Sequence, residues 1–342
     1  MVCLLVDFGM VYKTRRYGYR FSSKLYFLRK RAHIRRMLLM IKPMMITIAT
    51  ISTLAIIILI RLNPVIFSNR SEEANEIILH DGVYSTCSAS FRKLLPPAKI
   101  ERPLIIVVTF TYPRPTRIPD MIRLSQTLMN IRNIAWIVVE DGKKFNNPTH
   151  HLIRRTQIAY CYIAVGRLKT FPVRGWSARD YALKFILRRF ANFSNRAVVY
   201  FADDDNTYDI RLFDRFIRKV EAIGVWAVGL VAGQIVEAIK HSAENIVNGW
   251  LNEFSPKHNW EINMASFAIN LRILLRNKNV SLSNCIYNSL EVCLLSQLSI
   301  TNEDLQPFGH DLTPRDILVW HTKSTHFVRS NMYLGRYGYL IE

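Results

Sequence analysis

Residues 198–208 read VVYFADDDNTY, a mostly apolar run leading straight into Asp203, Asp204 and Asp205. Adjacent carboxylates repel one another, and at a strand end they are costly unless a cation or ligand donors relieve the repulsion. Two readings fit. The three aspartates form a solvated loop or a helix N-cap, since Asp and Asn both cap well. Alternatively, one carboxylate holds a magnesium or manganese ion that it shares with phosphate groups. A calcium loop of the helix–loop–helix type is excluded, because the Gly and the distal Glu are missing. A second acidic pair, Glu140 and Asp141, ends the apolar run WIVVED. The chain has neither G-x-x-x-x-G-K-[ST] nor G-x-G-x-x-G, so no glycine loop cradles phosphate. Side-chain cations would have to help. RGWSAR supplies Arg174 and Arg179, and VWHT supplies His321. Arginine forks suit phosphate and carboxylate alike.

The elements that carry these groups alternate in type. LIIVVTF (104–110), AWIVVE (135–140), YCYIAV (160–165), AVVYFA (197–202) and VWAVGLVAG (225–233) read as buried strands. Between them, segments 117–131, 176–190 and 209–223 repeat apolar residues at helical spacing. The pattern predicts an α/β fold, with a mostly parallel sheet covered by helices on both faces. In such sheets ligands bind beyond the carboxyl ends of the strands, where both acidic groups stand. The region after about residue 245 is less regular, and there is no internal repeat or low-complexity tract.

The 342-residue chain is half apolar and carries a formal charge of +20. That charge is concentrated at one end: residues 1–42 hold 11 Lys and Arg against the single acid Asp7. The remainder shows no zinc-finger, RNA-recognition or basic-zipper pattern, so a nucleic-acid partner is not expected. Residues 43–60, PMMITIATISTLAIIILI, carry no charge and are bounded by Lys42 and Arg61. That is about the shortest run that crosses a bilayer. The cationic excess on its N-terminal side predicts a single-pass type II protein, with everything after Arg61 outside the cytosol. The expected layout is a basic tail over 1–42, a signal-anchor over 43–61, a stem over 62–102 and a catalytic domain over 103–342. Sequons at Asn69, Asn192 and Asn279 agree with a lumenal location. Cys87, Cys161, Cys285 and Cys293 follow the apolar segment. Disulfides, a bridge from Cys87 to a second chain and plain free thiols all remain open, because pairing cannot be read from spacing.

Taken in order, VVTFTYPRP, WIVVEDG, RGWSARDYAL, VVYFADDDNTYD, VGLVAGQIVE, NMASFAINL, SLEVCLLSQL and ILVWHT span roughly residues 104–323. This succession resembles the motifs of the 3-β-glucuronosyltransferases, glycosyltransferase family 43. The resemblance implies a Rossmann-like GT-A fold, with an N-terminal UDP-sugar-binding half and a C-terminal acceptor-binding half, in a family whose members are often dimers. It implies a Golgi membrane protein that uses Mn²⁺ to transfer glucuronate from UDP-glucuronate to the 3-hydroxyl of a terminal galactose, with inversion. The acceptor implied is the galactose–galactose–xylose linker of proteoglycans. In those terms Tyr112 would stack on uracil and Asp141 would hydrogen-bond it. Arg174 and Arg179 would hold the nucleotide and the glucuronate carboxylate, and His321 would contact the diphosphate. Asp203 and Asp204 would contact ribose and donor sugar, and Asp205 would ligate the metal. Glu237 and Asn263 would bind the acceptor, and Glu291 would be the catalytic base. On its own, Glu291 reads as an ordinary glutamate on a helix surface.

Three positions depart from the family pattern. Asn263 stands where an Asp is usual, and His258 and Tyr287 each stand where an Arg is usual. Asn still hydrogen-bonds a hydroxyl but brings no charge. The donor side is largely intact, and the acceptor and the catalytic rate are left open. The alternatives are an N-acetyllactosamine acceptor, a UDP-xylose donor, or a non-catalytic lumenal scaffold.

Overall fold

The computed structural model describes residues 50–54, 76–79, 83–98, 102–166, 171, 175–231, 233–251, 262–285, 289–311, 313–322 and 324. The chain divides into two units, Met1–Ser71 and Glu72–Glu342. In the first, residues 50–54 are helical. Among the described residues no helix is long and apolar enough to cross a membrane. The apolar segment 43–61 and Asn69 lie largely outside the described residues.

The second unit holds a large sheet and a small one. In chain order the strands are β1 (Glu76–Leu79), β2 (Val83–Cys87), β3 (Leu104–Thr111), β4 (Ile134–Asp141), β5 (Ala159–Val165), β6 (Ala197–Phe201) and β7 (Thr207–Tyr208). Then follow β8 (Ile223–Val225), β9 (Val228–Gly229), β10 (Val236–His241), β11 (Val247–Leu251), β12 (Phe267–Asn270), β13 (Leu305–Pro307) and β14 (Val319–Trp320). The large sheet runs β1-β2-β5-β4-β3-β6-β12-β8-β13, and the small one β11-β10-β9-β14-β7. Strands β5, β4, β3 and β6 are mutually parallel, while β2 and β12 join them antiparallel.

All eight residues of β3 are buried, because both faces of the sheet are covered. Alternation along the strand assigns them to two layers. Ile106, Val108 and Phe110 pack with Ala178, Leu183 and Ile186 of the helix Trp176–Arg189. Ile105 and Val107 pack with Met121, Leu124 and Leu128 of the helix Arg117–Leu128. This is the α/β architecture that the sequence predicts.

Three local expectations change. The sheet starts earlier than Leu104: residues 76–87, read as stem, form β1 and β2, and β2 pairs with β5. Cys87 is therefore opposite Cys161 and bonded to it within the chain, so it does not bridge two chains. The second disulfide joins Cys285 and Cys293. The segment 209–223 breaks into Arg211–Arg215 and a 3-10 turn Ile217–Lys219, where Arg218 donates to the carbonyls of Pro103 and Arg132. Leu212, Phe213, Phe216, Ile217 and Val220 are buried while Ile210 is exposed, and the chain must turn to enter β8. The single strand expected over 225–233 is two strands in different sheets. Between them Trp226 is buried, and its indole N–H donates to the Ala265 carbonyl.

Candidate active site

The carboxyl ends of β3, β4 and β6 open onto one cleft of about 630 Å³. Tyr112, Asp141, Arg179, Asp203, Asp204 and Asp205 all line it. Each arrives there for a local reason. Tyr112 follows the last residue of β3, beyond the point where both faces are covered, and is 54% exposed. The Arg114 guanidinium lies 5.0 Å from the centroid of this ring. Asp141 is the last residue of β4, opposite Val165 of β5. The three aspartates follow β6 after Ala202 and lead into β7.

Arg179 lies in the first turn of the helix Trp176–Arg189, with its guanidinium 4.4 Å from the Phe110 ring centroid and 3.6 Å from Asp203. Gly175 begins that helix at φ +75°, in the left-handed region. A Cβ there would meet Arg179 Nη1 at 2.9 Å and Asp141 Oδ2 at 3.9 Å. The glycine therefore lets the backbone turn and leaves room for the Arg179 fork. Gly175→Ala should cost about 1–2 kcal/mol of stability from the backbone alone. It should also displace the Arg179 fork from the cleft. Thermal unfolding measures the cost. Arg174 lies outside the described residues.

The three aspartates have different environments. Asp204 is 4% exposed, and Arg114 Nη1 donates to it at 2.8 Å. Burial outweighs that partner and pushes its carboxyl up to about 6. Asp203 is partly exposed; burial raises it too, against Arg179, with Asp205 and Glu291 adding to the rise. The Asp205 carboxylate has no cationic side chain paired with it among the described residues. Its backbone is held firmly: its carbonyl accepts from Arg123 Nη2 at 2.7 Å and from Thr322 Oγ1 at 3.2 Å.

A layer behind the aspartates fixes the turn. Asp120, fully buried on the helix Arg117–Leu128, takes Arg114 at 3.0 Å, Arg123 at 3.3 Å and Ser324 Oγ at 2.5 Å. Burial opposes the charge on Arg114, but Asp204 and Asp120 together hold its pKa above the ordinary value. Sequence reasoning missed Arg114, Arg123, Asp120 and Gly175. Arg114 stands two residues after Tyr112 in TYPRP and Gly175 lies inside RGWSAR, so both were within motifs already singled out. Asp120 and Arg123 give no local signal, because only the fold sets them against residues 204–206.

The small sheet carries Glu237 and is followed directly by His321, which Asn263 contacts. Strand β14 pairs with β7, and Thr322 shares a hydroxyl hydrogen bond of 2.7 Å with Thr207. His321 follows β14, and its Nε2 lies 3.1 Å from Asn263 Oδ1. That same oxygen accepts from the Ala265 N–H at 2.9 Å, so Asn263 also caps a 3-10 turn. Glu237 sits on β10 opposite Val228 of β9, which adjoins β14. Glu291 occupies the first turn of the helix Leu290–Ser296 and accepts from Ser289 Oγ at 2.9 Å. It is not among the residues that line the cleft, although its charge adds to the rise at Asp203. His258 and Tyr287 lie outside the described residues. Asn192 and Asn279 are exposed.

A glycosyltransferase family 43 profile matches residues 124–325. The chain belongs to that family. It is 36% identical over 243 residues to human galactosylgalactosylxylosylprotein 3-beta-glucuronosyltransferase 1, covering 67% of this chain and 71% of the relative. It is 31% identical over 243 residues to galactosylgalactosylxylosylprotein 3-beta-glucuronosyltransferase sqv-8 of Caenorhabditis elegans, covering 68% and 67%. Among solved structures, S. aureus TarS 1–349 in complex with UDP is similar at a TM-score of 0.39 and 10% identity, over 64% of this chain and 60% of that one. That likeness is too distant to bear on function. As a member of family 43 the protein is a glycosyltransferase.

Proposed function

We propose that this glycosyltransferase transfers glucuronate from UDP-glucuronate to the 3-hydroxyl of a terminal galactose, with inversion. We further propose that it does so in the Golgi lumen from a type II membrane anchor. The acceptor is the galactose–galactose–xylose linker of proteoglycans, as the names of its relatives suggest. The observation that carries this reading is the convergence of Tyr112, Asp141, Arg179 and the three aspartates on one cleft, with Glu291 in electrostatic reach of Asp203.

The residues fit a manganese ion. Among the described residues no group of three or more His, Cys, Asp or Glu side chains is placed to hold a metal. Small hard cations do not need one: they are commonly bound by one or two carboxylates plus the phosphates of the substrate. Asp205 offers an oxygen donor with no cationic partner among the described residues, beside two carboxyls that burial makes costly to ionise. When bound, the ion stabilises charge developing on a departing phosphate oxygen.

The chain's own groups do the rest. The exposed Tyr112 ring stacks on the base and Asp141 accepts a hydrogen bond from it. Arg179 offers its fork to the donor carboxylate, and His321 holds the diphosphate. Glu237 and Asn263 orient the acceptor. Glu291 takes the proton from the acceptor hydroxyl as its oxygen attacks the anomeric carbon from the face opposite the leaving diphosphate, a positioned general-base role. An α-linked donor then gives a β-linked product in one displacement, with UDP leaving.

The test offers UDP-glucuronate and UDP-xylose, each with Mn²⁺ and galactose-terminated acceptors, to a fragment of residues 72–342. A fragment beginning at 102 would cut away β2 and Cys87, the partner of Cys161. Turnover of UDP-glucuronate alone is expected. Turnover of UDP-xylose but not UDP-glucuronate would overturn the donor assignment, and turnover of neither would favour a scaffold. Asp205→Ala should abolish metal-dependent UDP binding, read by calorimetry; binding that keeps its metal dependence removes Asp205 as the ligand.

A further inference from the structure

The helix Leu290–Ser296, which carries Glu291, has seven residues. A helix that short is marginal in water by itself, so its place is set by what it is tied to. Two ties lead back to one segment of chain. Cys293 is bonded to Cys285, the last residue of the 3-10 turn Leu282–Cys285. Gln297, at the C-cap of the helix, accepts from the Ser281 N–H at 3.1 Å with its side-chain oxygen. That segment is held in turn by Asp180. One oxygen of its buried carboxylate accepts from Ser281 Oγ at 2.7 Å and from the Leu282 N–H at 2.8 Å. The other takes Lys184 Nζ at 2.6 Å. The turn Leu282–Cys285 touches both the helix Leu290–Ser296 and the helix Trp176–Arg189.

Asp180 follows Arg179 on the helix Trp176–Arg189, inside RGWSARDYAL, and is not among the residues that line the cleft. Consecutive helix residues project about 100° apart. One turn therefore aims Arg179 at Phe110 and Asp203 while it aims Asp180 at Ser281 and Leu282. We propose that Asp180 is a positioning residue: through the turn Leu282–Cys285 and the Cys285–Cys293 bond, it fixes the helix that carries Glu291 to the helix that carries Arg179. This rests on the reading of Glu291 as the general base and of Arg179 as the donor fork. Both helices bear on the same carboxylate, since Arg179 lies 3.6 Å from Asp203 and the charge of Glu291 is felt there. A displacement of about 1 Å in a reacting group costs on the order of 10²-fold in rate. Hydrogen bonds to a carboxylate are shorter and stronger than neutral ones, which suits them to hold a base that closely.

The test uses the full-length chain purified in detergent, with UDP-glucuronate, Mn²⁺ and a galactose-terminated acceptor. Asp180→Ala should lower kcat about 10²-fold. The donor KM should stay within about twofold, a split that general loosening of the fold would not give. Asp180→Asn keeps an oxygen that accepts from Ser281 and Leu282, and should recover most of the loss. Hydrogen exchange should quicken over the helix Leu290–Ser296 in Asp180→Ala and stay unchanged over β3. In a Glu291→Gln background, Asp180→Ala should add less than about threefold, because the group it positions no longer takes a proton. If Glu291→Gln itself keeps its transfer, the base assignment fails, and hydrogen exchange alone judges the role of Asp180. If Asp180→Ala does not fold, Cys285→Ser combined with Cys293→Ser opens the other joint and should show the same split between kcat and KM. Unchanged exchange over Leu290–Ser296, or a loss that multiplies in full onto that of Glu291→Gln, overturns the proposal.

Discussion

Glu291→Gln should lower sugar transfer by about 10²–10⁴-fold, the usual contribution of a positioned general base. UDP binding should be unchanged. The substitution keeps the shape of the side chain and an oxygen able to accept from Ser289 Oγ, which donates to Glu291 at 2.9 Å. Only the capacity to take a proton is lost. Steady-state transfer to a galactose-terminated acceptor measures the first effect, and calorimetry with UDP the second. A variant retaining most of its transfer would remove Glu291 from the base role. Loss of UDP affinity would instead mark it as a donor-side group, which its electrostatic action on Asp203 makes the natural competing outcome.

Arg117→Met should destabilise the fold by about 3–5 kcal/mol, because it leaves a buried carboxylate uncompensated. Arg117 is 1% exposed and Glu140 2%, with 2.6 Å between Nη1 and Oε1. Tyr162 donates to the other Glu140 oxygen at 2.5 Å, and its own oxygen accepts from the Asn146 N–H at 3.1 Å. Burial already raises the Glu140 pKa, against the pull of Tyr162 and Arg117. Without Arg117 it would rise further. A carboxyl whose native pKa lies above its unfolded one favours the native state when protonated. The deficit of the variant should therefore be full at alkaline pH and shrink as pH falls toward the ordinary carboxylate value of 4.5. Urea denaturation across that range checks the sign. Arg117→Met combined with Glu140→Gln should recover part of the loss, since no buried charge is then left unpaired.

The clustering of Asp141 with Asp203, Asp204 and Asp205 was legible in the sequence because these residues sit at strand ends. VVYFADDD and WIVVED mark those ends by an abrupt change from apolar to acidic residues, and the parallel sheet brings them side by side. The supporting layer was not legible. Asp120 and Arg123 look like ordinary charges on an amphipathic helix until the packing of that helix turns them toward residues 204–206. Regions with long-range pairing were also misread. VWAVGLVAG has one strand's worth of apolar residues, yet it leaves the large sheet at Val225 and enters the small one at Val228. Nothing local in the chain encodes that switch. Likewise β1 and β2 were hidden in a polar, irregular stretch, and β2 earns its place by pairing with β5 and by the Cys87–Cys161 bond.

That bond has a consequence for the order in which the molecule can be made. Cys87 and Cys161 are separated by 74 residues, and the span between them contains β3, β4 and the helix Arg117–Leu128. Closing a loop of that length removes about 4 kcal/mol of freedom from the unfolded chain. The half of the sheet that carries Tyr112 and Asp141 is therefore a ring closed by sulfur. A chain oxidised early would search far fewer conformations before β3 and β4 align, whereas a chain kept reduced would have to assemble the same cleft from an open thread.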